Sequence, residues 1–447
     1  MKKLLSLFAF SFLAQTLGAT DLYVNSSGQS GTYTTITTAL AVASTGDRIF
    51  VSTANFYNED LNITKSVTIA PLNNTSKISL AGTIYIQPAA SMVVNLIGIE
   101  MQGLALSTVP GSSTTSSPAT FNILSCKVED GTNNSWVDFS NNTIRLKIFD
   151  SDFDNILCRQ INIAKSLVRN NLRVDLNVGQ TPNDTIKIIA CHLGGLQYAS
   201  KDYHLFASNC MVMSSIDINA IPDYQHPGAS VIQNCYIVND MYYALNPQYT
   251  LNYSKLTVAN CRLGSWYSRY YYTMQSGSTT YSPLYTTSAD QNAYACTNCP
   301  YSWTNSAIVN ASRSPNFLYN SANPNSATNW PRENLTGITF EDLKSSVLFN
   351  GGGGTWAANP GENPWNEAYI QNFTNISVWN NTGHPGSKYM DIDLTRNDKS
   401  ILGGPYSWLN YWYSDAPGKA AVFDLNFPSE IWPGQTVNLK AEGVHTN

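Results

Sequence analysis

Charge is scarce in this chain. Only 12% of its 447 residues are Asp, Glu, Lys or Arg, and acidic residues outnumber basic ones by 30 to 25. Nucleic acid needs a basic surface, so that partner class is excluded, and polyanionic glycans are disfavoured on the same ground. Histidine is scarcer. His192, His204, His226, His384 and His445 are the full set, and none adjoins a Ser or Cys in a nucleophile motif. Past the first 14 residues, no apolar run is long enough to cross a bilayer. Paired metal-ligand motifs are missing too. Cys296-Thr297-Asn298-Cys299 stands alone, whereas zinc needs two more ligands and a thioredoxin-like role needs a βαβ setting. A local disulfide between Cys296 and Cys299 is the reading left.

What is present begins with an export signal. Met1-Lys2-Lys3 precedes the apolar stretch Leu4 to Ala14, and small residues follow. This predicts a signal peptide over 1–19, cleaved after Ala14 or Ala19, with no cysteine for a lipid anchor. The protein is expected to be secreted, at the cell surface or extracellular, with the periplasm as alternative. Loss of Lys2 and Lys3 leaves 23 basic residues, so the mature charge is 23 − 30 = −7. With abundant Asn, Ser, Thr and Tyr, the surface is expected to be neutral and hydrogen-bonding.

Most of the eight cysteines share one frame: polar or small, Cys, variable, aliphatic. Examples are Ser125-Cys126-Lys127-Val128, Ala190-Cys191-His192-Leu193, Asn209-Cys210-Met211-Val212, Asn234-Cys235-Tyr236-Ile237 and Asn260-Cys261-Arg262-Leu263. Serine takes the slot in Asp150-Ser151-Asp152-Phe153 and Lys165-Ser166-Leu167-Val168. Subtracting slot positions gives steps of 25, 15, 25, 19, 25 and 26. One β signature per period in the twenties predicts a solenoid. The steps of 15 and 19 are short for a coil, which makes 151–210 the weakest part of the register. Within a frame, alternation breaks at the residue before the Cys, so two consecutive side chains point inward. That demands a bend, and Asn tolerates the left-handed conformation best after Gly. Asn209, Asn234 and Asn260 are expected to stack and to bond along the axis. The cysteines are expected to be small buried residues beside them, some pairs being able to oxidise. His192 takes an outward slot and is expected to be solvated.

Ile36, Ala39, Leu40 and Ala43 have helical spacing, and Gly46-Asp47 turns the chain into the strand Arg48 to Val51. A short amphipathic helix would cover the open end of the solenoid. The run from Tyr33 through Ile36, Leu40 and Gly46-Asp47-Arg48-Ile49-Phe50-Val51 to Tyr57 resembles the amino-terminal cap of secreted right-handed parallel β-helix proteins of the pectin-lyase-like fold. Ala54-Asn55-Phe56 replaces the Pro-Gly usual before that tyrosine. Gly383-His384-Pro385 and Tyr389-Met390-Asp391-Ile392-Asp393-Leu394-Thr395-Arg396-Asn397-Asp398, followed by Gly403-Gly404-Pro405, resemble the closing segment of bacterial members. Those usually carry Gly at Leu394 and an aromatic at Leu402. The resemblance implies a right-handed parallel β-helix. It leaves function open, because the family includes lyases, hydrolases, adhesins and inert scaffolds.

The expected organisation is a signal peptide, a parallel β-helix over 20–405 with aromatic-rich loops at about 265–380, and a β cap or appendage over 406–447. In the last part, 421–427 and 436–440 read as strands.

Several constellations bear on chemistry. Trp136-Val137-Asp138-Phe139 is similar to a pectate-lyase run, with Phe139 where that run has histidine. The Asn-Thr-Asp, Asp-Asp and Gly-His-Gly motifs of polygalacturonases are absent. Asp150, Asp152 and Asp154 alternate, so one strand face would carry all three, near Lys165, Arg169 and Arg173. Such a cluster suits a polysaccharide lyase or a glycoside hydrolase, or a solvated outer face. Asp391, Asp393, Asn397 and Asp398 are candidate calcium ligands. Asx turn bonding, with Arg396 pairing a carboxylate, is the competing reading. No cofactor is otherwise required. Trp266, Tyr267, Tyr270, Tyr271, Trp303, Trp356 and Trp365 are candidate sugar-stacking rings. These features favour a non-catalytic scaffold or adhesin contacting a neutral polysaccharide. An enzyme acting through the Asp cluster is the alternative, and a structural surface-layer or fibre subunit the second.

Overall fold

The computed structural model describes residues 19–73, 76–102, 106–108, 119–129, 136–139, 144–174, 185–198, 204–218, 230–245, 256–270, 316–318, 321–322, 335–336, 339–340, 381–386, 389–391, 395–408, 420–426 and 440–445. Their strands form a parallel solenoid of two long sheets, one of 13 strands and one of 17. Each coil contributes one strand to the first sheet, turns a tight corner, and continues into the second. Register explains the pattern of the core. Ile123, Ile148, Ile163, Ile188, Ala207, Ile232 and Val258 pair in sequence down the first sheet, and all are buried. The second sheet is creased lengthwise where the register shifts, as between Phe153 and Asn155 and between Ile237 and Asp240. It therefore presents two tracks of outward residues.

The corner carries the repeated frame. Ser125, Asp150, Lys165, Ala190, Asn209, Asn234 and Asn260 all lie in the left-handed region, with φ of 47–56°. Each of the first six donates its backbone N–H to a carbonyl one coil on, as Ser125 does to Phe149 (3.0 Å) and Asn234 to Ala259 (3.0 Å). The expected bend is thus present at every frame, including those of 151–210. The 15-residue step is a real coil. The strands Asp152–Cys158 and Gln160–Ala164 are joined by Arg159 alone.

The slot after the corner asks for more than small size. Ser151 Oγ donates to the Phe149 carbonyl (2.8 Å) and accepts from the Cys126 amide (3.1 Å). Ser166 repeats this with Ala164 (2.8 Å) and the Ser151 amide (3.2 Å). The thiols do the same. Cys235 Sγ meets the Gln233 carbonyl at 3.2 Å and the Cys210 amide at 3.5 Å, and Cys261 Sγ meets Ala259 (3.3 Å) and the Cys235 amide (3.4 Å). Ser and Cys alternate here because both offer one donor and one acceptor on Cβ. Among the described residues all six cysteines are buried free thiols. Burial pushes the Cys126 thiol up to about 11.

The helix Ile36–Val42 forms as expected. Thr35 caps it by accepting from the Thr38 amide (3.1 Å), and Ile36, Ala39 and Leu40 are buried. The Glu59 carboxylate accepts the amides of Ile36 and Thr37, both at 2.8 Å, tying the helix to a later coil. Asp47 in the following turn accepts from the amides of Thr20 (2.8 Å) and Ser44 (2.7 Å), which lower its proton affinity. Toward the carboxy terminus, Ala420–Asn426 and Lys440–His445 form an antiparallel pair. The first matches its expected strand. The second begins where the expected 436–440 strand ends.

Variation in coil length gathers on one edge. Connections that leave the second sheet and return to the first run from Val174 to Thr185, Tyr198 to His204, Ile218 to Ser230, Leu245 to Leu256 and Tyr270 to Asn316. From Gly98 to Asn260 the opposite corner keeps a single left-handed residue.

Candidate functional site

The acidic triplet does not share one face. Asp150 is the left-handed corner residue, so it precedes the strand that carries the other two. Its carboxylate accepts from Ser125 Oγ (2.9 Å) and pairs with Lys165 (3.4 Å). Asp152 lies outward and half-buried, in register with Lys127, which pairs with Glu100 one coil before. Asp154 is buried because the register shift after Phe153 turns it under the crease. Arg169 joins these two. Its Nη1 is 3.1 Å from Asp154 Oδ1, and its Nη2 binds Asp152 Oδ2. Burial pushes the Asp152 carboxyl up to about 6, against the pull of Arg169 and Lys127. Asp152 Oδ1 is buried without a hydrogen-bond partner. Arg173 is exposed and stands in the second track, opposite Leu157 and Gln197. The structure therefore assembles Asp152, Asp154 and Arg169, gives Asp150 and Lys165 to the corner, and sets Arg173 apart.

His192 does take the outward slot, yet it is buried, and burial pulls its imidazole down to about 3. It is neutral at physiological pH rather than solvated. Met211, Tyr236 and Arg262 follow it down the same column, also buried, with the Arg262 guanidinium 5.4 Å from the Tyr236 ring. Phe139 is a core residue. It stacks on Phe121 at 5.6 Å, which is why an aromatic and not a histidine suits that position.

In the second track, Leu157, Arg173, Gln197 and Asp217 make an outward column, each exposed or half-buried. The backbone register continues that column through Tyr242 and Tyr267. Trp266 pairs with Met241, in the column of Ile156, Leu172, Leu196 and Ile216, all of which are core. Tyr242 is legible in the sequence once the period is extended from Tyr267. Asp217, Tyr242 and Tyr267 stand 25 apart.

The asparagine corners differ from the expected axial ladder. They bind the closing segment 381–408. Asn209 Nδ2 donates to the carbonyls of Ile401 (2.9 Å) and Gly403 (2.6 Å), and the Trp408 indole donates to the Asn209 carbonyl. Asn234 Nδ2 contacts Asn397 Oδ1 (2.9 Å), the Asp398 carbonyl (2.8 Å) and the Ser400 carbonyl (3.2 Å). Asn260 Oδ1 accepts from the His384 amide (2.7 Å). Gly403 is required by close approach, since a Cβ there would lie 2.6 Å from Asn234 Nδ2. Axial amide bonding does occur on the outer face of the first sheet. Asn122 donates to Asn95 (2.7 Å) and Asn95 to Thr68 (2.8 Å).

The candidate calcium ligands brace that same segment. Asp391 accepts from the amides of Asp398 (3.0 Å) and Gly404, Asp398 accepts from the Asn381 amide, and Asn397 donates to the Tyr389 carbonyl. Arg396 donates to the Gly383 carbonyl (2.8 Å). Among the described residues, no three His, Cys, Asp or Glu side chains are grouped to hold a metal. No helix there is long and apolar enough to cross a membrane. Residues 1–18, Tyr271, Cys296, Cys299, Trp303, Trp356, Trp365 and Asp393 lie outside the described residues, as do the side chains of Trp266, Tyr267 and Tyr270.

Comparison with family models, with curated proteins and with solved structures finds no match to this chain.

Proposed function

We propose that this parallel β-solenoid is an exported, non-catalytic scaffold or adhesin, related to the pectin-lyase-like proteins, that contacts a neutral glycan. The observation that carries the reading is the column Arg173, Gln197 and Asp217, whose side chains are exposed or half-buried and whose backbone register continues through Tyr242 and Tyr267. Consecutive members are spaced by about 4.8 Å, so polar groups and two tyrosine positions follow one another along the axis. Sugars use that combination, with CH faces on rings and hydroxyls on amides and carboxylates. The variable connections begin where this track ends, and the sequence of the one after Tyr270 is rich in aromatic residues.

One observation favours the enzyme as a second reading. Asp152 and Asp154 share one guanidinium, and the Asp152 carboxyl is pushed up to about 6, toward the range useful for proton transfer.

A panel of neutral and acidic polysaccharides separates the two. On the scaffold reading, the protein binds a neutral glycan and releases no reducing or unsaturated ends. Tyr267→Ala then weakens binding about fivefold, the loss of roughly 1 kcal/mol of ring stacking, and Asp152→Asn leaves it unchanged. Binding that survives both Tyr242→Ala and Tyr267→Ala, or no binding to any member, overturns it. New ends that vanish in Asp152→Asn establish the enzyme instead.

A further inference from the structure

The first strand of the solenoid is fastened through one buried carboxylate. Asp47, in the turn between the helix Ile36–Val42 and the strand Arg48–Val51, is 4% exposed. Its Oδ1 accepts the Thr20 amide (2.8 Å) and its Oδ2 the Ser44 amide (2.7 Å). Its own carbonyl accepts the Thr68 amide one coil on (3.0 Å). A buried carboxylate ordinarily faces a cation. Among the described residues none forms an ion pair with Asp47, and the nearby Lys65 ammonium donates to the Ala43 carbonyl instead (2.7 Å). The Thr20 amide, and after it the Ser44 amide, do most to keep Asp47 ionised.

Thr20 is also where the fold begins. Among the described residues it is the first with a hydrogen bond, and its carbonyl accepts the Arg48 amide (3.0 Å) just before the strand Asp21–Val24. Ala19 and Thr20 are both exposed. Gly18-Ala19 supplies the small residues that an export peptidase reads ahead of the bond it cuts. We infer that the chain is matured by hydrolysis between Ala19 and Thr20, and that Asp47 is the receptor for the α-ammonium group this creates. Water adds across the peptide bond, so Ala19 leaves with a carboxylate and Thr20 keeps the nitrogen, which takes up a proton. A nitrogen that donated as a neutral amide then donates as a cation from the same place. Charge-assisted bonds are roughly twice as strong as neutral ones, and 2.8 Å lies within their usual range of about 2.7–2.9 Å. Cleavage after Ala14 would leave Gln15 to Ala19 ahead of Thr20, and Asp47 would keep a neutral donor. Asp47 thus decides between the two cleavage points that the sequence allows. The inference rests on the export part of the reading above and is independent of what the protein binds.

Expression of the full chain in an exporting host, with amino-terminal sequencing of the protein recovered outside the cytoplasm, tests the bond. The expected first residue is Thr20. Any other first residue, Gln15 included, overturns the inference and leaves export standing. A chain recovered only uncut and inside the cell overturns both. The receptor is tested on two chains made without export, one starting at Thr20 and one at Gly18. In the first, residues 20–24 and 44–51 should exchange amide hydrogens about fivefold more slowly than in the second, with 144–174 the same in both. In the same two chains carrying Asp47→Asn, no difference should remain. Equal exchange in the two wild-type chains, or a difference that survives Asp47→Asn, overturns the inference. Should Asp47→Asn fail to fold, concentrated salt answers the same question. It should narrow the difference between the wild-type chains, because it screens an ion pair whose ammonium is exposed, and a difference that salt leaves intact overturns the inference.

Discussion

A single side-chain slot explains why serine and cysteine replace one another in this chain. The slot donates to the carbonyl two residues back and accepts an amide from the coil before, as at Ser151 and Cys235. Hydrophobicity alone would admit Val or Ala. Ser151→Cys should therefore shift the urea midpoint little, whereas Ser151→Val should cost about 1–3 kcal/mol by orphaning the buried Cys126 amide. Equal midpoints for the two variants would refute the hydrogen-bond account. Asp152 makes a second residue-scale prediction. Its folded carboxyl is pushed up to about 6, above the usual range, so the native state holds its proton more tightly than the unfolded chain. The stability this contributes is complete near pH 4 and is lost as pH rises through about 6. The stability difference between Asp152→Asn and wild type should thus move in favour of the variant between pH 4 and 8, by on the order of 1–3 kcal/mol. A difference that does not change with pH would show that Arg169 outweighs the burial.

At the scale of the element, corner and return edge obey different rules. At the repeated corner the last inward residue of the first sheet and the first inward residue of the second are three positions apart, as Ile123 and Cys126 are, so an added residue would exchange the inward and outward sets of everything it displaces. Return connections range from Arg159 alone to the 45 residues, 271–315, between Tyr270 and Asn316. Loop closure grows slowly with length, at about 0.6 kcal/mol per doubling. One Gly inserted between Asn234 and Cys235 should abolish folding or strip the second-sheet strands of exchange protection. Four residues of Gly and Ser inserted between Ser200 and Lys201 should leave the unfolding midpoint nearly unchanged. Tolerance at the corner would contradict the register given above.

For the whole molecule, the first end and one corner of the solenoid are met by segments from outside the repeat. The helix Ile36–Val42 covers the beginning, pinned by Glu59. The closing segment bonds to the corners of the later coils from more than a hundred residues away. Between them, the outward faces divide by track. The first track bears the column of Glu100, Lys127 and Asp152, and the second bears the column of Arg173, Gln197 and Asp217, which Tyr242 and Tyr267 continue in register. The glycan panel acts at this scale, because it reads several coils at once.

The solenoid, its period, the capping helix and the left-handed corners were all legible in the residues. Each is a local or one-dimensional property, in which a period repeats, an apolar set recurs at helical spacing, and Asn or Ser interrupts alternation before an inward Cys. The 15-residue coil is hard to read from sequence because its one-residue return, Arg159, leaves no turn signature. Partnership was not legible. Nothing local distinguishes an asparagine that bonds to the neighbouring coil, as Asn122 does to Asn95, from one that bonds to the closing segment, as Asn234 does to Asn397. Nor does alternation reveal that a bulge after Phe153 buries Asp154, or that the column after Asp217 passes through Tyr267 and not Trp266. A side chain's inward or outward place follows from its neighbours in sequence, but its partner lies a coil or a hundred residues away, and only the closing of the chain in three dimensions brings the two together.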